Sequence, residues 1–329
     1  MTITGQVGHL GVGRQGSMVA EASLAAYTPT LTDWFVVTSE NIVPNNAPLV
    51  AENEIGRGRD RTGAIAGGYG ISGGWGGYAR VADLGVMLQM AMKETAVSPD
   101  GSTGITTLTF DNYVDWWAIE RNVGDTLYVW YINSKLNGLT INVSANQIAT
   151  YTADFVITME RDISNEATPL YGTPSFAGDD LLAFHGGHLE IGASQYSNME
   201  SVEIAIANGL SNDEYTVHES RFLNNVTEGA RTIDLNFNQV FQTADDYSKY
   251  TYGQVGRTTP GYSMFEDDVY FLLMNAQSKV AATQYIEFFF PRVMFAGLPV
   301  NLTSGRIVVA NTGTVLAPTV GEIMTVMYK

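Results

Sequence analysis

Arg231-Thr232-Ile233-Asp234-Leu235-Asn236-Phe237-Asn238 decides the fold class. Ile233, Leu235 and Phe237 alternate with Asp234, Asn236 and Asn238, the period-two signature of a strand with one buried and one polar face. The same alternation recurs at Leu139, Ile141 and Val143, at Tyr151, Ala153, Phe155 and Ile157, and at Val202, Ile204 and Ile206 around Glu203. Antiparallel sheets commonly read this way. Two stretches break the period. From Asp83, read as an N-cap, Leu84, Met87, Leu88 and Ala91 recur at helical spacing through Met92. Leu84, Leu88 and Ala91 are the positions expected to pack this helix on the outside of a sheet, and Gly85 costs it roughly 1 kcal/mol relative to Ala. A shorter helix is expected over residues 243–250, with Asp245 and Asp246 in its first turn. The class is therefore all-β with one or two short helices.

Composition narrows the function. Hydrophobic residues make up 45% of the 329-residue chain, enough for a substantial core and too many for global disorder. Asp and Glu outnumber Lys and Arg by 34 to 17, and the net charge of −17 argues against wrapping a nucleic acid by neutralising its phosphates. The absence of cysteine excludes a disulfide scaffold, cysteine zinc sites and thiol catalysis. No apolar run approaches the ~18 residues of a membrane helix, so no membrane segment is expected. Met1-Thr2-Ile3-Thr4 does not read as the start of a secretory signal.

The chain also resembles itself. Residues 139–148, LTINVSANQI, align without gaps on residues 298–307, LPVNLTSGRI. Upstream, residues 50–55 align on 217–222, and Trp34, Val36 and Thr38 fall on Val202, Ile204 and Ile206. Each copy places a candidate helix between these blocks, so a tandem duplication is expected. The expected division is an N-terminal arm over 1–29, a first domain over 30–163, a linker over 164–189 and a second domain over 190–329. The acidic excess is uneven, because residues 179–246 hold twelve Asp or Glu against Arg221 and Arg231.

Several constellations invite a chemical reading, and each has a plainer one. The glycine-rich run over residues 67–77 lacks the Gly-Lys-Ser/Thr ending of a phosphate loop, so it reads as a strand where another backbone packs closely. Gly11-Val12-Gly13-Arg14-Gln15-Gly16 superficially resembles a dinucleotide fingerprint, but no strand is evident before it, and a flexible arm is expected. His185 and His188, with Asp179, Asp180 or Glu190, could offer a metal site, yet Gly186 and Gly187 between them fix no geometry and a solvated turn is expected. Glu266-Asp267-Asp268 lacks the spaced oxygen ligands of a calcium loop. Glu200 and Glu203 would point to opposite faces of a strand, which disfavours a paired-carboxylate site. His9 and His218 have no evident partners. Arg57, Arg59 and Arg61 form the only basic cluster and read as inter-subunit contacts to acidic neighbours. No enzyme activity and no cofactor are expected.

A family resemblance emerges from these segments together. Gly11-Val12-Gly13-Arg14-Gln15, Thr38-Ser39-Glu40, Pro48-Leu49-Val50-Ala51-Glu52-Asn53-Glu54 and Gly56-Arg57-Gly58-Arg59 resemble the N-terminal region of bacteriophage tail tube (major tail) proteins of long-tailed phages. The likeness continues through Lys135-Leu136-Asn137-Gly138-Leu139, residues 199–208, residues 231–237 and Phe290-Pro291-Arg292-Val293. The resemblance implies a tail-tube-type β-sandwich whose sheets join those of neighbours into a barrel, with rings stacked into a hollow tube that conducts double-stranded DNA. It implies self-association as the main contact, with tape measure and tail terminator proteins as further partners, location in the virion tail and assembly in the host bacterial cytoplasm. Under that reading Glu203, Asp234, Asn236 and Asn238 face the lumen. Two tube domains per chain imply trimeric, pseudo-hexameric rings, with hexameric rings as the alternative. A capsid decoration or baseplate protein and a β-sandwich glycan-binding module are the rival readings.

Overall fold

The computed structural model describes residues 8–329 apart from 51–62, 93–103, 112, 125, 165–173, 177, 179, 193, 218–219, 276–281 and 297–305. In chain order the first half carries β1 (His9–Gln15), β2 (Asp33–Phe35), β3 (Ser39–Glu40), β4 (Val43–Val50) and β5 (Ala64–Tyr78). Helix α1 (Val81–Met92) follows, then β6 (Thr106–Thr109), β7 (Trp116–Val123), β8 (Leu127–Ser144) and β9 (Thr150–Asp162). The second half carries β10 (Gly187–Ile191), β11 (Ser194–Tyr196), β12 (Met199–Ala207) and β13 (Thr232–Val240). Helix α2 (Ala244–Tyr252) precedes β14 (Phe265–Met274), β15 (Tyr285–Ala296), β16 (Val308–Val315) and β17 (Thr325–Tyr328). Every strand pairing is antiparallel, and together the strands form one connected sheet. The all-β class with two short α-helices is thus the observed one.

The two halves share a pairing order. In the first, hydrogen bonds link β2–β1–β7–β8–β9–β5, with β3 and β4 both on the outer edge of β5. In the second they link β11–β10–β14–β15–β16–β13–β12. A helix follows the equivalent strand in each, α1 after β5 and α2 after β13. The halves meet where β12 pairs with the last third of β8, Ser201 opposite Ser144 and Ala207 opposite Gly138. Past that junction β8 gives the same edge to β7. A second tie is β17, which pairs with β15 on one side and with β6 of the first half on the other.

One hydrophobic core runs through both halves, fed by the apolar phase of each strand and by α1. Leu84, Leu88 and Ala91 are all buried, but so are Met87, Met90 and Met92. The helix is therefore enclosed on nearly every side, beyond the one face that Leu84, Leu88 and Ala91 make. Its apolar positions exceed the single stripe of a surface helix, and the C-terminal strand closes over it, with Gln89 Nε2 donating to the Tyr328 hydroxyl at 2.9 Å. A Cβ at Gly85 would lie 2.9 Å from the Tyr328 ring, so glycine there makes room for that strand. Asp83 is not the N-cap. The helix begins at Val81, and Asp83 sits buried in its first turn beside Arg80, 3.7 Å away. In α2 the Thr243 side chain does cap the helix, accepting from the Asp246 amide at 3.3 Å, and Gly253 ends it at φ 84°.

Residues 9–15 correct the expectation of a flexible arm. They form a buried strand paired with β7 from His9 opposite Asn122 to Gln15 opposite Trp116. Gly11 and Gly13 are needed because the Trp34 ring and the Thr30 carbonyl occupy the space a side chain would take.

Candidate functional site

The feature that organises this molecule is a continuous polar face. Hydrogen-bonded in order, β3–β5–β9–β8–β12–β13–β16–β15 form eight strands, four from each half. Leu139, Ile141, Ile204, Ile206, Ile233 and Leu235 turn to the core, so the intervening residues share the opposite face. Reading the register across the strands gives rows on that face. Gly76, Thr152, Thr140, Ala205, Asp234 and Thr314 form one row. Tyr78, Thr150, Asn142, Glu203, Asn236 and Thr312 form the next. Glu203, Asp234, Asn236 and Asn238 are brought together there. Asn236 Nδ2 donates to Glu203 Oε1 at 3.0 Å, and Asn238 Nδ2 donates to Ser201 Oγ at 2.8 Å. Asp154 lies on the same face opposite Gly138, its carboxyl raised above the ordinary value by partial burial, against a lowering hydrogen bond from Asn137. None of the residues in these rows is Lys or Arg.

The junction between halves is covered at its Gly138 end, on the side of β8 and β9 that carries Asp154, by the segment between β12 and β13. Lys135 of β8 is buried, donates to the Val226 carbonyl at 3.2 Å, and pairs with Glu228. The Trp116 ring lies 4.2 Å from its ammonium. Arg231 Nε donates to Asn208 Oδ1 at 3.0 Å and its Nη2 to the Asp111 carbonyl at 2.8 Å, while Asn208 Nδ2 reaches the Leu136 carbonyl at 2.9 Å. Burial holds the Arg231 guanidinium below its usual range, partly offset by Asp111 and Glu228. A small apolar cluster of Val114, Val156, Leu210, Leu223 and Val226 completes the seam.

The other sequence candidates fall elsewhere. Arg57, Arg59 and Arg61 lie outside the described residues, as do Asp179 and His218. The glycine run is the strand β5, where a Cβ at Gly74 would collide with the Ala153 carbonyl 1.7 Å away. His188 Nε2 meets Glu190 Oε1 at 2.7 Å and its Nδ1 accepts from Gln195, while His185 packs against Phe184. Among the described residues no three His, Asp or Glu side chains gather as metal ligands. His9, read as unpartnered, is in fact buried. Its Nε2 meets Glu120 Oε1 at 3.1 Å, Asn122 donates to its Nδ1, and Trp130 Nε1 donates to the second Glu120 oxygen at 2.9 Å. Sequence reasoning missed this cluster because His9 lies more than a hundred residues from Glu120, Asn122 and Trp130, and the set carries no spacing signal. Trp117 is core, and Trp116 is the partner of Lys135.

No curated protein matches the chain. The sequence model of the phage tail tube protein family matches residues 11–287, most of the chain including β8, β12, β13 and the seam between the halves, and the chain belongs to that family of phage tail structural proteins.

Proposed function

We propose that three copies of this chain close a ring, and that stacked rings form the tube through which double-stranded DNA passes. The observation that carries this reading is the β8–β12 junction, which fuses four strands from each half into one eight-stranded sheet. Barrel diameter grows with strand number, and 16–18 strands leave only a small-solute channel. A bore for duplex DNA therefore needs on the order of two dozen strands by the same scaling, which three eight-stranded sheets supply. Each chain then acts as two tandem tube domains, the internal β8–β12 pairing being repeated between chains. β3, which among the described residues pairs only with β5, is the first-half counterpart of β12, and its other edge is offered to the neighbour. Arg57, Arg59 and Arg61 answer the acidic second half of an adjacent chain.

The polar face lines the bore in this arrangement. Its Asp154, Glu203 and Asp234 and its amide and hydroxyl groups repel or slide past DNA, which carries one charge per ~1.7 Å of axis. Assembly takes place in the host bacterial cytoplasm, with a tape measure protein inside the growing tube and a terminator at its end. A three-dimensional reconstruction of the tube tests the proposal. Three chains per ring with both halves in the wall are expected. Six chains per ring with one half outside the wall would overturn it.

A further inference from the structure

We infer that Asn208 is a site of spontaneous deamidation, open to reaction while the two halves stand apart and closed to it once the seam has formed. The chain contains two Asn-Gly dipeptides, Asn137-Gly138 and Asn208-Gly209. In such a pair the glycine nitrogen carries no side chain beside it, so it reaches the preceding carboxamide carbon more easily than in other sequences. Both pairs lie at the seam. The Asn208 backbone amide donates to the Asn137 carbonyl at 2.8 Å, and the Leu210 amide donates to Asn137 Oδ1 at 2.9 Å. Position 209 must be glycine, because its φ is 59° and a Cβ would lie 2.6 Å from the Ala230 carbonyl oxygen.

Position 208 is equally constrained. Asn208 is buried, its Nδ2 donates to the Leu136 carbonyl at 2.9 Å and to the Ala91 carbonyl at 3.2 Å, and its Oδ1 accepts from Arg231 Nε at 3.0 Å. Two donors and an acceptor on one short side chain describe a carboxamide. The fold thus requires a labile dipeptide at its own seam. The same bonds protect it, because they keep the carboxamide carbon from turning to the Gly209 nitrogen. Both carbonyls belong to the first half, on β8 and α1, so this hold is absent until the halves join. In the open chain the deprotonated Gly209 nitrogen attacks Asn208 Cγ, the side-chain nitrogen leaves as ammonia, and a succinimide ring closes. Water then opens the ring at either carbonyl, giving aspartate or isoaspartate. Aspartate would turn an acceptor towards the Leu136 and Ala91 carbonyls, which would lose their donor. Isoaspartate adds a methylene to the backbone and displaces the amide that meets Asn137. A chain modified at 208 therefore closes the seam poorly, and the modification selects against chains that stay open.

The test uses purified full-length wild-type protein, aged in mildly alkaline buffer either folded or in urea. Peptide mapping by mass spectrometry reads the amide-to-acid mass gain at residue 208, and electron-transfer fragmentation separates aspartate from isoaspartate. The folded protein is expected to convert at least about tenfold more slowly than the unfolded one, as a reaction that waits on local opening must. Equal rates in the two states would overturn the protection. The urea-aged sample is then diluted to refold. Chains modified at 208 are expected to be depleted from the soluble refolded fraction and enriched in the aggregate. An equal share of modified chains in both fractions would overturn the proposed effect on the seam.

Discussion

Lys135 of β8 and Glu228 of the second half form an ion pair under the Trp116 ring, and this pair sits just past the Gly138 end of the strand junction that unites the halves. Neither group is free in water, since Lys135 is buried and the Glu228 side chain is 20% exposed. Removing one partner of such a pair strands the other, at a cost of about 3–5 kcal/mol when fully buried. Lys135→Met is therefore expected to destabilise the unassembled chain by about 3 kcal/mol, the low end, because Glu228 keeps some water. Replacing both, with Lys135→Met and Glu228→Leu, should recover most of that loss. Urea unfolding of the three variants measures the cycle, and equal losses for the single and double variants would show that packing, not charge, holds the seam.

Leu88 lies inside α1 with no exposed surface. Truncation to Ala leaves a cavity that the surrounding strands cannot fill, so Leu88→Ala should cost about 2–5 kcal/mol. Thermal melting of the unassembled chain checks this. Unchanged melting would mean that the helix contributes little to the core.

The alternation at residues 232–238 revealed which face of each strand is buried, because side-chain phase depends only on neighbours two residues away. It could not reveal which edges pair. The β8–β12 junction joins positions about sixty residues apart and leaves no local mark. β1 was misread for a related reason. Its glycines look like a flexible arm until Trp34 and Thr30 are seen to fill the space beside them. The enclosure of α1 depends on Tyr328, far along the chain, and nothing near Gly85 announces it. The polar-face residues were legible because one strand's pattern places them. The seam cations were not, since Lys135 and Arg231 are defined by partners brought in from the other half.

Asp267 offers a pH-dependent check. Its carboxyl is raised above the ordinary 3.8, chiefly by burial, with the Asp268 carboxylate adding to the effect. The folded state thus holds this proton more tightly than the unfolded state. Stability from this site is present below the ordinary value and falls as pH rises through the window up to the raised folded value. Asp267→Asn keeps an acceptor for the Asp268 amide, which lies 3.1 Å from Oδ1. The variant should melt higher than wild type at neutral pH, and its advantage should shrink as pH falls from the raised folded value towards about 3.8, below which it is lost. A gain that persists unchanged at low pH would place its cause outside ionisation.

The charge on the polar face predicts behaviour during DNA passage. Glu203 and Asp234 occupy neighbouring strands, and Asn236 donates to Glu203 on the same face. None of these side chains belongs to the core, so lysine at both positions should leave folding and tube length unchanged. If the face lines the bore, the change turns repulsion into attraction within a Debye length of ~8 Å. Every ring would add such contacts, and each phosphate neutralised strengthens DNA retention in a salt-dependent way. Phage carrying Glu203→Lys with Asp234→Lys should eject DNA more slowly than wild type, and added salt should restore the rate. Time-resolved release of a DNA-bound dye from triggered virions measures it. Wild-type kinetics at low salt from particles with intact tails would place this face away from the DNA.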